Sequence, residues 1–406
     1  MKICYVVPWF PSLNVSTIEA RQAIFGYRQI MKLSERGHEF KIISLKWKGQ
    51  DKHEVISDRV EVYRVPYIFK FLQIRYPIPN LFALTHKIKK LCDNWNPDLL
   101  IYSHVNFLTV LPIFYLKPRL KIPSAVTTDS FPGISWFYGD KVVDTIGYLY
   151  SMIIGKRVFK LADGIQLMSS QLGEYVTKLG IENHKVFTIP RGVDTEMFQP
   201  RDGDEHLKSE LGIKENDTVI LYVGRLDLVK GVNYLIQAAK EILANHDNAD
   251  SIKFLIVGGG SLQKQYEKLA SPFLDNIIFL GFRNDVPQLM NIAHISVLSS
   301  LSEGAANVVM EASASGLPVV ATAVGEVPQI VADGETGRLV KPKDADGLAK
   351  RIEAIINNPL LGKKMGEAGR RRMEQKYSWE IICEKLEKAY QEVIDRSKQP
   401  ALHQNG

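Results

Sequence analysis

The chain has 406 residues, 45% of them hydrophobic and 24% charged, which excludes extensive disorder and fits two α/β domains better than one core. The formal net charge of +6 is mild and no recognised nucleic-acid-binding motif accompanies it, so nucleic acid is not an expected partner. The cysteines Cys4, Cys92 and Cys383 are widely spaced, which excludes a disulfide framework and a zinc site and makes the reducing cytoplasm the expected compartment.

The first half of the chain alternates short apolar runs with longer helical patterns. The run at 3–7 breaks at Pro8 and is too short for a secretory signal, so it predicts a buried strand. Further strands are predicted at 41–45, 60–65, 99–102, 124–128, 164–168 and 186–189, with helices that include 17–36 and 143–161. Uniformly apolar strands in βαβ order predict a parallel sheet covered by helices on both faces.

A second series of strands follows an interruption rich in proline, glycine and charged residues. These strands are predicted at 218–223, 254–257, 277–280, 295–298 and 319–321, and helices at 360–376 and 379–396 close the chain. We therefore expect a first domain over 1–193, a second over 194–376, a C-terminal helix over 377–396 and a flexible tail over 397–406. Open parallel sheets bind ligands beyond the carboxyl ends of their strands, so the cleft between the two domains is the expected active site.

The loop after strand 218–223 combines a glycine with two cations. Gly224 allows a ligand to approach the backbone closely, and Arg225 and Lys230 lie at the strand's carboxyl end near the start of a helix. The forked guanidinium of Arg225, the ammonium of Lys230 and the positive end of the helix dipole suit the negative charge of a diphosphate. The alternative is a solvated loop with two ordinary basic residues.

A triple glycine follows the next strand. Residues 258–260 predict a tight strand-to-helix turn in which Gly258 and Gly259 either line a nucleotide or only permit close packing.

Two glutamates and a helix start follow strand 295–298. Glu303 lies in the loop, and Glu311 lies about two turns into the next helix among small and apolar residues, where a carboxylate without a partner is costly. The N–H groups of Asn307 and Val308 at the helix start are free to hold phosphate. Glu311 can accept hydrogen bonds from both hydroxyls of a ribose, and Glu303 from the hydroxyls of a donor sugar. In the alternative, Glu303 is a surface residue of the loop and Glu311 pairs with a neighbour on its helix.

These motifs, in this order and spacing, resemble those of glycosyltransferase family 4, which has the GT-B fold. The resemblance also covers 189–194 with Phe198 and Pro200, and the run 316–321. It implies two Rossmann-like parallel-sheet domains that face a cleft, an acceptor-binding first domain, a donor-binding second domain and a last helix that crosses back to the first domain.

The resemblance implies a retaining hexosyltransferase that uses a nucleotide diphosphate sugar, such as a UDP- or GDP-sugar, with neither a bound metal nor a cofactor. Arg225 and Lys230 would contact the diphosphate, Glu311 the ribose and Glu303 the donor sugar. Phe282 and Arg283 would lie against the base. The catalytic set would then be Arg225, Lys230, Glu303 and Asp129.

Two positions depart from the family pattern. A Gly-Gly pair is common in the first strand-to-helix loop, but this chain has Ser16 and Thr17, whose hydroxyls either contact the donor or cap the helix, and we favour capping. Asp129 stands where many members have a histidine, and it either accepts from a sugar hydroxyl, acts as a base, or only forms a turn; we favour a functional role. His104 also follows a strand, and we expect an interior histidine with satisfied hydrogen bonds.

The acceptor is not encoded in a recognisable motif. Residues 66–92 contain five basic and no acidic residues with interleaved apolar ones, which indicates either an anionic membrane surface or a solvated helix face. With the apolar stretch 146–154, this favours a lipid-linked or cell-surface glycan precursor as acceptor and a peripheral position at the inner face of the cell membrane. The alternatives in function are a sugar-nucleotide 2-epimerase and a non-catalytic partner that binds nucleotide or lipid.

Overall fold

The computed structural model of the chain describes residues 1–11, 26–47, 50–69, 78–134, 141–304 and 306–398. The chain divides into two compact units, each with its own core. The first unit comprises Met1–Pro190 and Ile382–Gly406, and the second comprises Arg191–Ile381.

The first unit is built on a sheet of eight described strands in the order β10-β9-β8-β7-β1-β2-β4-β3, with a separate β5-β6 pair. The strands are β1 (Lys2–Val6), β2 (Glu39–Leu45), β3 (His53–Ser57), β4 (Val60–Val65), β5 (Tyr67–Phe69), β6 (Ile78–Pro79), β7 (Leu99–Tyr102), β8 (Ser124–Thr128), β9 (Gly164–Leu167) and β10 (Val186–Thr188). Only the edge strand β3 runs antiparallel to its neighbour in the eight-stranded sheet. Ile42, Ile101 and Val126 are fully buried, as expected for a parallel sheet covered on both faces.

The helices of the first unit cover that sheet. They are α1 (Tyr27–Glu35), α2 (Leu81–Trp95), α3 (Ile113–Leu116), α4 (Lys141–Tyr150), α5 (Lys156–Leu161) and α6 (Gln171–Lys178), and a π-helical turn, Ser151–Gly155, joins α4 to α5. The Asn80 side chain caps α2 by accepting from the backbone N–H of Ala83 at 3.0 Å. The helix then buries Leu84, Ile88 and Leu91 in the core, so its apolar face is a packing face.

The second unit has a six-stranded sheet, entirely parallel, in the order β13-β12-β11-β14-β15-β16. Its strands are β11 (Thr218–Val223), β12 (Ile252–Val257), β13 (Ile277–Gly281), β14 (Ile295–Leu298), β15 (Val319–Thr322) and β16 (Gly337–Val340). In this doubly wound order, successive strands are added from β11 toward one edge of the sheet and from β14 toward the other. The neighbouring strands β11 and β14 therefore flank the topological switch point.

Helices flank this sheet as well. They are α7 (Glu205–Glu210), α8 (Val232–Asn245), α9 (Gln263–Ala270), α10 (Val286–Ile292), α11 (Asn307–Ala314), α12 (Val327–Ile330), α13 (Ala345–Ile356) and α14 (Pro359–Lys376). Helices α8 and α13 bury aliphatic side chains such as Leu235, Ile242 and Ile352 in one core cluster with the strands.

The last helix, α15 (Trp379–Lys398), begins in the second unit, and from Ile382 onward its residues belong to the first. Arg36 holds Glu387 through two contacts of 2.8 Å, and His38 Nε2 lies 2.9 Å from the same carboxylate. The hydrogen bond from Arg36 is the main reason that the pKa of Glu387 falls to about 2. Tyr390 Oη, fully buried, donates to Gln166 Oε1 at 3.1 Å, so polar contacts fix this helix at both the surface and the core.

The prediction of two parallel-sheet α/β units is confirmed, and most strand bounds agree to within two residues. Strands β3, β5, β6 and β16 were not predicted. Of the predicted helix 17–36, only the part from residue 26 is described, and α1 lies within that part. Of the predicted tail 397–406, residues 399–406 lie outside the described residues. No helix in the described ranges is both long and apolar enough to cross a bilayer.

Candidate functional site

The loops that follow β11 and β14 bring charged side chains together at the switch point of the second unit. Lys230 Nζ lies 2.6 Å from Glu303 Oε1, and Ser300 Oγ donates to the same oxygen at 2.5 Å. The Glu303 side chain is only 8% exposed and that of Lys230 19% exposed, so the pair is largely withdrawn from water. A short, charge-assisted contact of this kind joins the two loops across the switch point.

Local backbone geometry places Lys230. The Asp227 carboxylate accepts from the backbone N–H of Lys230 at 3.2 Å and caps the 3₁₀ turn Leu228–Lys230. Gly231 follows with φ of 58° and begins α8; a Cβ there would lie 2.3 Å from the carbonyl oxygen of Ser299. Only glycine therefore allows the loop after β11 to approach the loop after β14 this closely.

Arg225 lies beside this pair but is more exposed. Its Nη1 is 2.8 Å from Asp227 Oδ2. The Tyr222 hydroxyl donates to the carbonyl oxygen of Arg225 at 3.1 Å, and burial, together with the nearby Glu303 and Asp227 carboxylates, raises the pKa of Tyr222. Tyr222 thus remains a neutral donor that supports the loop. Each of the two cations, Arg225 and Lys230, has a carboxylate partner.

The triple glycine after β12 packs directly against the Gly224 loop. A Cβ on Gly258, where φ is 127°, would lie 1.9 Å from the carbonyl oxygen of Gly224, and one on Gly260 would lie 2.3 Å from that of Leu226. Gly259 has no such restriction, since the nearest atom to its Cβ would be 3.9 Å away. Close packing therefore accounts for Gly258 and Gly260, and Gly259 is the member with room beside it.

The helix after Glu303 begins without a side-chain cap. Helix α11 starts at Asn307, and its N-cap residue, Ala306, makes no side-chain capping hydrogen bond. Such a turn directs unsatisfied N–H groups, here those of Asn307 and Val308, outward from the helix start. Glu311 is half-buried next to the buried Met310 and Ala312, as expected from the sequence. It lies about one turn into the helix rather than the expected two, because the helix begins only at Asn307.

The loop after β13 presents one exposed ring and one immobilised cation. Phe282 is exposed, whereas Arg283 is engaged by Asp285 (Nη2–Oδ2, 2.6 Å) and by Glu210 (Nη1–Oε1, 2.9 Å). These contacts raise the pKa of Arg283 and lower that of Asp285. Arg283 therefore shapes the loop through two carboxylates that the sequence motif did not include.

Asp129, in the first unit, pairs with His104. The carboxyl ends of β7 and β8 bring His104 Nδ1 to 3.2 Å from Asp129 Oδ1, and the Ser130 hydroxyl donates to the same oxygen at 2.9 Å. Asn106 Nδ2 in turn donates to Ser130 Oγ at 3.0 Å. His104 is buried as expected, but its backbone is left-handed, with φ of 59°, a strained conformation that is common at functional positions.

Several predicted residues are therefore close together, and others are not described. Arg225, Lys230 and Glu303 form one cluster with Gly224, and Asp129 belongs to the other unit. Ser16 and Thr17 lie outside the described residues. Within the described ranges, no group of three or more His, Cys, Asp or Glu side chains is placed to hold a metal ion.

Sequence reasoning missed the supporting residues Asp227 and Ser300. It expected His104 as an interior histidine but did not pair it with Asp129. The spacing of Asp227 three residues before Lys230 is a capping signal that could have been used. Ser300 lies three residues before Glu303 in the same loop, so their contact depends on the conformation of that loop. The contact between His104 and Asp129 depends on how the loops after two separate strands, β7 and β8, meet.

Two family models match this chain. Residues 203–372 match the family model "Glycosyl transferases group 1", and residues 26–197 match "Glycosyltransferase Family 4". The capsular polysaccharide biosynthesis glycosyltransferase CapM of Staphylococcus aureus is 30% identical over 378 residues, which cover 87% of this chain and 93% of CapM.

Two solved structures share the fold. Sucrose-phosphate synthase of Thermosynechococcus elongatus has a TM-score of 0.76 at 21% identity, with 97% of this chain and 99% of that chain covered. Anabaena HepE in complex with UDP-glucose has a TM-score of 0.69 at 17% identity, with 96% and 99% covered.

Proposed function

The chain belongs to glycosyltransferase family 4, with the GT-B fold, and on this premise we propose that it moves a sugar from a UDP- or GDP-sugar to an acceptor hydroxyl with retention of anomeric configuration. The observation that carries the proposal is the Lys230–Glu303 pair at the switch point, beside the uncapped start of α11. Doubly wound sheets bind nucleotides at this position. HepE, a fold relative, is known in complex with UDP-glucose, which supports the same donor class.

Arg225 and Lys230 are the proposed diphosphate ligands. A lysine ammonium has three N–H donors, and the contact with Glu303 uses one of them, so the others remain available to phosphate oxygens. Arg225 is half-exposed in the same loop, where its Nη1 contacts Asp227 Oδ2. The N–H groups of Asn307 and Val308 lie at the positive end of the α11 dipole, which favours the negative charge of the diphosphate.

The two glutamates are the proposed contacts to the sugars. Glu303, held by Lys230 and Ser300, has a second carboxylate oxygen for hydroxyls of the transferred sugar. Glu311 is proposed to accept from the ribose hydroxyls. Gly259, whose Cβ would have no neighbour closer than 3.9 Å, is proposed to allow the nucleotide to approach the backbone, and Phe282 is proposed to lie against the base.

In the proposed reaction the bond between the anomeric carbon and the diphosphate oxygen breaks, and the acceptor oxygen forms a bond to that carbon from the same face. The acceptor's proton passes to a phosphate oxygen of the leaving group. Arg225 and Lys230 stabilise the departing negative charge, the task that a divalent metal performs in other transferases. Unchanged turnover in EDTA is expected, and a trapped covalent glycosyl-enzyme would contradict the same-face route.

Asp129 is the proposed polar contact to the reacting hydroxyls from the first unit. His104 and Ser130 fix its carboxylate, so it is oriented rather than free to rotate. We propose a lipid-linked or cell-surface glycan precursor as the acceptor. With that acceptor we propose a peripheral position at the inner face of the cell membrane.

Thermal stabilisation by a panel of UDP-, GDP-, ADP- and dTDP-sugars tests the donor site. A ligand that binds only the folded protein raises the melting temperature by mass action. One nucleotide class should stabilise the wild type, and Arg225→Ala and Glu311→Ala should lose the shift, whereas Leu360→Ala, at an exposed position of α14, should keep it. Absence of a shift with every nucleotide sugar would overturn the donor assignment.

A further inference from the structure

The helical segment 141–161 of the first unit exposes a stripe of aliphatic side chains. Ile146 is 62% exposed, Leu149 50% and Ile153 52%, at spacings of three and four residues that place them on one side of the helix. Helix α4 has no buried residue. An exposed apolar stripe of this length on a helix marks an interaction surface.

The opposite side of the segment is anchored firmly. The Tyr150 hydroxyl donates to the carbonyl oxygen of Val105 at 3.1 Å, and the Ser151 hydroxyl donates to that of Pro132 at 3.1 Å. Gly147 allows the closest approach, because a Cβ there would lie 2.7 Å from Pro132 Cβ. The stripe therefore lies on a segment that Gly147, Tyr150 and Ser151 hold against the first unit.

Positive charge continues the stripe at its carboxyl end. Lys156, Arg157 and Lys160 follow Ile153, and Asp144 is the only acidic residue of the sequence from 141 to 161. The neighbouring helix α3, which packs against α5, exposes the aromatic rings of Phe114 and Tyr115. The Arg119 guanidinium lies over the Tyr115 ring at 3.8 Å.

We propose that this surface, defined by Ile146, Leu149, Ile153, Arg157 and Lys160, docks the protein on an anionic lipid bilayer. Exposed aliphatic side chains beside a cluster of basic ones suit the boundary between acyl chains and negatively charged headgroups. A second copy of the chain would instead have to bring acidic groups to this surface, and the segment itself offers only Asp144. The inference rests on the proposed function, since it supplies the membrane that a lipid-linked acceptor requires.

Helix α2, the described helical part of the basic region 66–92, is a weaker candidate for such a surface. There, Lys87 Nζ lies 3.9 Å from the centroid of the Tyr63 ring and Lys89 Nζ lies 2.6 Å from Asp93 Oδ2, so two of the basic side chains have partners within the unit. The apolar face of α2 is buried in the core, and Phe82 is its exposed large apolar residue.

Vesicle flotation with the full chain tests the proposal. The probes are vesicles of neutral phosphatidylcholine and vesicles that also contain phosphatidylglycerol. Wild type should float with the anionic vesicles, and added salt should weaken this binding. Ile146→Glu/Leu149→Glu and Arg157→Glu/Lys160→Glu should each reduce the partition coefficient on the order of tenfold or more. Phe82→Glu, on the exposed side of α2, is the matched control and should bind like wild type.

Donor-induced thermal stabilisation, measured on the same samples, separates this proposal from the proposed function. All variants should keep the donor shift, because none changes the second unit. A donor shift without vesicle binding by wild type, or loss of binding in Phe82→Glu with retention in Ile146→Glu/Leu149→Glu, would overturn the docking surface alone. A wild-type dimer that Ile146→Glu/Leu149→Glu dissociates, with no vesicle binding, would assign the stripe to a second copy instead.

Discussion

Replacing Lys230 with methionine separates the structural and catalytic roles of the central ion pair. Methionine retains most of the side-chain volume but removes the ammonium, which leaves the Glu303 carboxylate with Ser300 as its remaining side-chain partner described here. We expect two effects of this change: a loss of stability from the unpaired carboxylate, and a loss of transfer rate from the missing cation.

The size of the stability effect follows from burial. Removing one partner of a fully buried pair costs about 3–5 kcal/mol, and removing one partner of an exposed pair costs about 0–1 kcal/mol. The Glu303 side chain is 8% exposed and that of Lys230 19% exposed, which places this pair between the two cases. With one hydrogen bond from Ser300 retained, the free energy of unfolding should fall by about 1–3 kcal/mol.

Urea denaturation measures the first effect and donor turnover the second. The double variant Lys230→Met/Glu303→Gln removes both charges, so it should recover about 1 kcal/mol or more relative to the sum of the single variants. Turnover should fall about 100-fold or more in Lys230→Met and should not recover in the double variant. Additive stabilities, or a double variant with near wild-type turnover, would refute this account of the pair.

Three further predictions concern other contacts. Gly258→Ala should lower the free energy of unfolding by about 2–4 kcal/mol, since its Cβ would meet the Gly224 carbonyl, while Gly259→Ala should be tolerated; urea denaturation compares them. Glu387 has a pKa lowered to about 2 in the folded protein, so its contribution should be present above about pH 4.5 and lost toward pH 2; the difference in urea midpoint between wild type and Glu387→Gln should shrink over that range. Asp129→Asn should lower turnover about tenfold or more and leave the donor-induced thermal shift unchanged; loss of that shift would contradict its placement outside the donor site.

The fold was predictable from the sequence where burial decides the pattern. Strand β7 is a continuous apolar run and β11 nearly so, whereas β4 alternates apolar residues with Glu61 and Arg64. The observed bounds of all three strands equal the predicted ones. The edge strand β3 was missed because its side chains are exposed or half-exposed, and edge pairing does not require apolar residues. Strand β16 lies at an edge of the six-stranded sheet of the second unit and follows a turn rich in glycine and charged residues, and it was missed for this reason.

The candidate site was predictable only in part. The order of strands places the loops after β11 and β14 together, so the proximity of Lys230 and Glu303 follows from topology. The partners of individual side chains do not follow from it. The pairing of Arg283 with Glu210, across 73 residues of sequence, depends on how α7 packs against α10 and could not be inferred from either motif.

The exposure of the segment 141–161 was likewise not encoded in its pattern. An apolar helical pattern in an α/β domain ordinarily covers the sheet, and only the tertiary structure shows that Ile146 and Leu149 face outward while Val158 and Phe159 are buried.

Phosphorus and proton NMR of donor turnover tests the central claim most directly. The nucleotide sugar that stabilises the wild type is incubated with the protein, with and without a membrane-lipid extract as the source of acceptor. The account predicts release of the free nucleoside diphosphate, faster with the extract, and a sugar that keeps its anomeric configuration. An intact nucleotide sugar inverted at C2 would identify an epimerase, and an unchanged donor under both conditions would identify a binding protein without catalysis; either result would contradict the assignment.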